Sequence, residues 1–509
     1  MKKMVILLMI ITLLSKVTGF AREITLAYFY GASDISDAYF VSTIIPFVIF
    51  SFIGVGITSG YIPIFNKIEK NEGALVSNKF TSNLLNVLMI LCTIIVIIVE
   101  LFSYQIVKVF ASGFEGEILN LAVLFTRITV LGIYFNVVIT IYNGFLQMKN
   151  SFVIPAVFGF IFNLFIIISI YLSSLFNVIL LAIGMLLALL FQTIFLLIYT
   201  GKVKKLKYRF VLDLKDKYIM NIGKLALPLT LGVSISQINV LIDKTIASRI
   251  STGGLSALNY ADRLNSFILS TVVMSITVVI YPMLSSSSAN NKINEFKKII
   301  SQSIISITLL LVPATVGAMI FVEPIVNVLF ARGAFDSQAI SMTSAALFFY
   351  SIGMVGIGLR EVLSRAFFSM HDTKTPMVNA AIGAVLNIIL NIILSKYLGV
   401  GGLALATSIA ATFTTTILFL NLRKKIGSYG LKKITISFLK ILFASLVMGL
   451  LSKLSFNYLI VSFSQNLSLF MAILIAGITY FATIYFLKIE DVDIIFKVAK
   501  RKLNSKGKH

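Results

Sequence analysis

Charge is what this sequence has least of. Only 12% of its 509 residues are Asp, Glu, Lys or Arg, about half the share of a soluble domain, whereas 58% are hydrophobic and mean hydropathy is +0.99. Cysteine is nearly absent. Cys92 stands alone inside an apolar run, which excludes a disulfide framework and a cysteine-based metal centre. The two histidines, His371 and His509, are too few for a metal cluster. No Walker A, H-E-x-x-H or G-x-S-x-G pattern occurs. Without an ATP-binding module, any active transport must draw on an ion gradient or the membrane potential. A membrane-embedded glycosyltransferase would need a sizeable loop carrying catalytic carboxylates. The longest segment between predicted spans, 201–218, is short and basic.

What the chain does have is apolar runs of ~20 residues along its whole length, the signature of spanning helices. They are continuous, as in Leu84–Phe102 and Leu175–Tyr199, unlike the alternating ~10-residue segments of a transmembrane barrel. The fold class is therefore an all-α polytopic membrane protein. Fourteen spans are predicted: 4–29, 36–65, 81–110, 119–148, 152–173, 177–200, 219–249, 254–284, 299–321, 337–370, 375–394, 400–422, 435–458 and 467–487. The first resembles a signal peptide, but Lys16 spoils the small-residue cleavage site, so it is read as a retained helix.

The loops alternate sharply in charge. One set, from Lys2-Lys3 through Lys202–Lys224 and Arg423–Lys433 to the tail from Lys488 on, holds 30 of the 43 Lys and Arg residues. The opposite set holds Lys108, Arg249, Arg332, Lys396 and Lys453. The asymmetry predicts that both termini and the basic loops are cytoplasmic. It also accounts for the net charge of +23 without nucleic acid, because charge dispersed over loops on one side suits anionic membrane lipids.

An internal repeat recurs at about 220 residues. Val109-Phe110-Ala111-Ser112-Gly113-Phe114-Glu115 returns as Leu329-Phe330-Ala331-Arg332-Gly333-Ala334-Phe335-Asp336. Phe145–Asn150 with Pro155 returns as Phe367–Asp372 with Pro376, and Pro63, expected to end the second helix, returns as Pro282. Six helices per half is an even number, so the halves are parallel repeats, a transporter architecture with its substrate site between them. The predicted domains are an N-terminal lobe, 1–216, a C-terminal lobe, 217–430, and two further helices with a basic tail, 431–509.

Charges inside spans mark candidate function, since each costs at least ~2.5–3.5 kcal/mol to insert. Lys16, Arg22 and Glu23 lie in the first span, Asp243 and Lys244 in the seventh, Asp262 and Arg263 in the eighth. Arg22 and Arg263 come from opposite halves, and two guanidiniums would suit a diphosphate, whose oxygens they pair bidentately. The alternative for Arg22 and Glu23 is mutual neutralisation near the outer end of the helix. Arg127, Arg365 and Lys440 are placed to snorkel.

Several of these stretches resemble the MurJ/MviN family: Ser15–Glu23, Tyr30-Gly31-Ala32, Ser36–Phe40, Tyr260–Leu264, Arg332–Asp336 and Phe367–Pro376. The resemblance covers most of the chain in order. It implies a fold of the MOP superfamily, MATE-like, with two six-helix lobes around a cavity and two extra helices forming a groove for a lipid tail. It implies a flippase carrying lipid II, the undecaprenyl-diphosphate-linked peptidoglycan precursor, to the outer leaflet of the bacterial inner membrane in cell-wall biosynthesis. Arg22 and Arg263 would then hold the diphosphate, with Glu23 as the gating acid, Lys16 where the family often has arginine, and Asp37 at an acidic position. Some members carry a sodium site, for which Asp243, Asn387, Asn391 and Thr407 stand at the matching positions. The other reading of these asparagines is helix–helix hydrogen bonding. No other cofactor is expected, and the chain is read as a monomer. Two departures are plain. Pro46–Gly56 carries no charge where the family has Asn, an arginine pair and Glu, and the Pro and Gly expected after Phe267 are missing. The bare second helix keeps open an exporter of another polyprenyl-diphosphate-linked glycan. A drug/cation antiporter of the same fold class would want acidic residues where arginines and a lysine stand.

Overall fold

Apolar runs of this length satisfy their backbone polar groups by closing hydrogen bonds within the segment, and the computed structural model is helical throughout. It describes residues 2–204 and 206–488, with no strand among them. The basic tail beyond Lys488, with His509, lies outside the described residues, as does Lys205.

The chain packs as two units, one running to Ser256 and including Arg332–Ala339, the other Ala257–Ala331 with the residues from Ile340 on. The first contains α1 (Lys2–Tyr30), α2 (Asp34–Gly56), a π-helical turn (Ile57–Tyr61), α3 (Ile62–Glu72), α4 (Ala74–Leu101) and α5 (Ser103–Phe110). It continues with α6 (Gly116–Val130), α7 (Gly132–Met148), α8 (Val153–Leu175), α9 (Leu180–Lys202) and α10 (Lys217–Ile250). The second contains α11 (Gly254–Ala289), α12 (Ile293–Ile320), α13 (Val322–Phe330), α14 (Ser337–Ser369), α15 (Lys374–Ile426), α16 (Leu431–Leu459) and α17 (Gln465–Phe486); the first residues of α11 and α14 pack with the first unit. Division by packing falls elsewhere than the boundary predicted at 216/217, because α10 packs on α2.

Eleven helical runs among the described residues are long and apolar enough to cross a membrane, and α10, bent by 48° near Pro228, makes twelve. Fourteen spans follow only if α1 is counted and α15 is taken as two. The 53-residue α15 does break at Gly399, where φ is 54°, inside the gap predicted between spans eleven and twelve. Pro63 does not end its helix as expected. The missing N–H of proline cannot serve an α-helical bond, and the π-helical turn just before it absorbs the mismatch, so the chain stays helical to Glu72. Pro282 likewise lies inside α11, which runs on to Ala289.

In the first unit α1 lies along α8, α2 along α6, and α8 along α9, around a core containing Tyr61, Phe65, Phe80 and Phe145. The linker after α9 is strapped to α4. Asn83 exchanges hydrogen bonds with the Asp213 backbone (2.9 and 2.8 Å) and Asn86 donates to the Val211 carbonyl (2.8 Å). In the second unit α16 packs on α12 and α17. Ile441, Ala444, Met448 and Phe456 are buried on one face of α16, while Leu439, Phe443, Leu446, Leu450 and Leu454 form an exposed row on the other. Such a row is what lipid contact requires and water opposes. Lys440 reaches the end of α17, donating to the Leu487 carbonyl (2.9 Å). Arg127 faces Glu100 (3.7 Å) with half its side chain exposed, and Arg365 lies over the Tyr281 ring (5.7 Å).

Candidate substrate site

Helical spacing sorts the polar residues of α1 into two faces. Ser15, Gly19 and Arg22 repeat at i, i+4, i+7 and share one stripe; Lys16 and Glu23, seven apart, share the next. The first stripe meets α8. A side chain at Gly19 would crowd Asn163, and one at Gly159 would strike the Ser15 hydroxyl, so small residues let the backbones approach. The close approach brings Asn163 to Arg22. Arg22 Nη1 donates to Asn163 Oδ1 (3.1 Å), while Asn163 Nδ2 donates to the carbonyls of Ser15 (3.1 Å) and Gly159 (2.9 Å). Arg22 Nη2 donates to Glu23 Oε1 at 2.5 Å. Glu23 is buried, whereas the Arg22 side chain keeps 23% exposure.

These bonds engage two of the five guanidinium N–H groups among the described residues, so a cation is held by an acid and an amide with donors to spare. The sequence reading found the acid and missed the amide. A lone asparagine in the apolar span Val153–Leu175 was the available signal, since polar residues in membrane helices mark sites or contacts. Lys16 is half-buried on the neighbouring face of α1. Arg263 stands exposed on α11 of the second unit, where Tyr260 is buried against Phe330 (5.2 Å). Arg360, next to Glu361 on α14, is a further half-buried cation of that unit.

Asp37 is fully buried at the start of α2, and its carboxylate is committed. It accepts from the backbone N–H of Gly253 (2.9 Å) and Ser256 (2.7 Å) and from the Ser256 hydroxyl, capping the first turn of α11. A carboxylate there satisfies orphan N–H groups and complements the helix dipole. The repeat motifs make a matching exchange. Gly113 N donates to Ser248 Oγ (3.1 Å) at the end of α10, and Ala334 N donates to the Tyr28 carbonyl (2.8 Å) at the end of α1. Gly333, at φ 64°, lies so close to the Tyr28 carbonyl that a Cβ would overlap it. Asp336 caps α14 through Ala339 N (2.8 Å). In the Phe367–Pro376 motif, Asp372 accepts from Thr375 N (3.0 Å) and Oγ1 (2.8 Å) and from Lys425 Nζ (2.6 Å). The Lys425 ammonium, then the Thr375 N–H, hold its carboxyl down at about 2.

Of the predicted cation ligands, Asn387 and Asn391 are buried and Thr407 half-buried on α15. Asn391 Nδ2 donates to Asn387 Oδ1 (2.9 Å) and Asn387 Nδ2 to Thr407 Oγ1 (3.3 Å). Neutral oxygens of this kind fit a hard cation. Asp243, the one carboxylate of the set, is on α10 of the first unit. Among the described residues no group of three His, Cys, Asp or Glu side chains is placed to hold a metal.

The fold has solved counterparts. A multidrug resistance MATE family transporter of the MOP superfamily, in an inward-facing conformation, matches with TM-score 0.71 at 15% identity, over 83% of this chain and 98% of its own. The chain thus has the fold of the MOP transporters. A solved structure described as "Lipid II flippase MurJ, inward closed conformation" matches with TM-score 0.84 at 28% identity, over 96% of this chain and 100% of its own. A Thermotoga maritima protein named "Probable lipid II flippase MurJ" is 30% identical over 493 residues, 96% of each chain. Residues 26–475 match the family profile "Lipid II flippase MurJ". The chain belongs to the lipid II flippase MurJ family, and is a multi-pass membrane protein.

Proposed function

We propose that this chain flips lipid II from the cytoplasmic to the outer leaflet of the bacterial inner membrane, with both termini cytoplasmic. The observation that carries the reading is the family match across 26–475. Arg22 supplies the chemistry. It is a guanidinium kept inside an apolar helix by Glu23 and Asn163, with N–H donors left for phosphate oxygens. Arg263 offers a second fork, and charge-assisted bidentate contact suits a diphosphate better than any neutral donor set. Glu23 acts as the gating acid: when it holds Arg22 the substrate is released, and when phosphate replaces it the substrate is held. The exposed apolar faces of α16 and α17 serve the polyprenyl tail. A sodium ion held by the oxygens of Asn387, Asn391 and Thr407 would couple the cycle to an ion gradient.

Depletion of the resident flippase in a host expressing this chain tests the proposal. Continued growth with normal cell shape is expected. Lysis, with the chain inserted at normal levels, would overturn lipid II as substrate and favour another polyprenyl-diphosphate-linked glycan, the reading that the uncharged Pro46–Gly56 stretch supports.

A further inference from the structure

The second unit carries a basic pocket lined by none of the residues assigned to the substrate. It has a volume of about 440 Å³ and lies where α14 turns into α15 and where α15 ends, lined by Lys374, Thr375, Asn379, Asn421, Lys424 and Lys425. The loop charges assign this end of the unit to the cytoplasm.

Three observations bear on what it takes. First, the charge is unbalanced. Lys425 is paired with Asp372 (2.6 Å), whereas Lys374 and Lys424 make no ion pair among the described residues. Three ammonium groups against one carboxylate leave a net charge of about +2, the magnitude that a phosphate carries near neutral pH. Second, Lys374 opens α15, so the positive end of that helix adds to the field. Third, and independently of the lysines, Asn379 lines the pocket while only 3% exposed, and its Nδ2 has no hydrogen-bond partner. Its Oδ1 accepts a long bond from Asn421 Nδ2 (3.4 Å), which leaves the N–H side of the amide to be satisfied. A buried donor without an acceptor is costly. An oxyanion among the three lysines supplies that acceptor.

We infer that this pocket is a phosphate-binding site separate from the one at Arg22 and Arg263, taking the phosphate of an anionic lipid headgroup or of a soluble (di)phosphate. Asn379 Nδ2 serves one oxygen while the Lys374 and Lys424 ammonium groups serve the others. Asp372 keeps Lys425 in place and faces the anion across it.

The test uses the full-length protein purified in a neutral detergent without anionic lipid. Two probes, sodium pyrophosphate and phosphatidylglycerol added to the micelles, are titrated against thermal stability and by native mass spectrometry, with zwitterionic phosphatidylcholine as the control of zero net charge. Saturable stabilisation by at least one probe is expected. It should weaken tenfold or more when both solvent-exposed lysines are removed (Lys374→Ala with Lys424→Ala), because each contributes a charge-assisted contact. Response to phosphatidylglycerol alone identifies a lipid headgroup as the source, and response to pyrophosphate identifies a soluble phosphate. The lysine-dependent part of the response should be as large in the Arg22→Ala, Arg263→Ala double variant as in the unaltered chain. Absence of saturable binding, equal binding by the lysine variant, or loss of the lysine-dependent response in the arginine variant would each overturn the inference. None of these outcomes depends on whether the chain flips lipid II.

Discussion

Replacing Asn163 with leucine removes one acceptor from Arg22 and almost nothing else. Leucine has nearly the shape of asparagine, so the close contact of α8 with Gly19 persists. The carbonyls of Ser15 and Gly159 lose a side-chain donor but keep their bonds within the helix. The lost Arg22–Asn163 bond is charge-assisted and partly buried, about 1.5–3 kcal/mol, so the held orientation of Arg22 should fall by a factor of ten to about a hundred. The Asn163→Leu chain should therefore reach the membrane in normal amounts while flipping falls at least tenfold in the depletion assay. Asn163→Asp keeps an acceptor and adds charge. It should also be made normally but turn over slowly, because Arg22 is then held against two carboxylates. Full activity of Asn163→Leu at equal protein level would refute the positioning role. Loss of activity that tracks loss of folded protein would show that the amide serves α1–α8 packing alone.

Arg22→Lys and Arg263→Lys should retain part of the function and alanine at either site none, with unchanged protein levels; recovery in Arg22→Ala with Glu23→Ala would mean that the pair merely neutralises itself. Asp37→Asn places an amide N–H against backbone donors at the first turn of α11, so it should lower the melting temperature by several degrees, read in detergent against Asp34→Asn. The Asp372 carboxyl is depressed on folding to about 2, so its stabilisation is complete above the ordinary value near 4 and is lost as pH falls towards 2. The melting advantage over Asp372→Asn should accordingly hold from neutral pH to about 4 and vanish near 2. With the buried Cys92 replaced, single cysteines at Ser33 and Gln338 should label from outside, and those at Asn290 and Ser428 only after permeabilisation; the reverse at any two sites would overturn the topology.

Composition and run length decided the fold class before any coordinates, because a backbone in lipid has only one local solution when its runs are continuous. The likeness of the Gly113 and Gly333 motifs has a similar reason. The Gly113 and Gly333 motifs recur because each must pass close to the end of a first helix, of α10 and α1 in turn, and that demand leaves a mark in residue types. The charged residues of α1 also stood out by their cost. What could not be read was which partners those residues meet. Asn163 lies 141 positions from Arg22, and nothing in the spacing of either helix names the other; only the packing of α1 on α8 through Gly19 and Gly159 does. Pro63 read as a helix end because local rules know nothing of the π-helical turn that accommodates it. Asp37 read as one more acid beside a substrate, and its carboxylate is committed to three donors at residues 253 and 256. Local chemistry is written in consecutive residues, whereas hydrogen-bond partners are chosen by which helices touch, and that choice exists only in three dimensions.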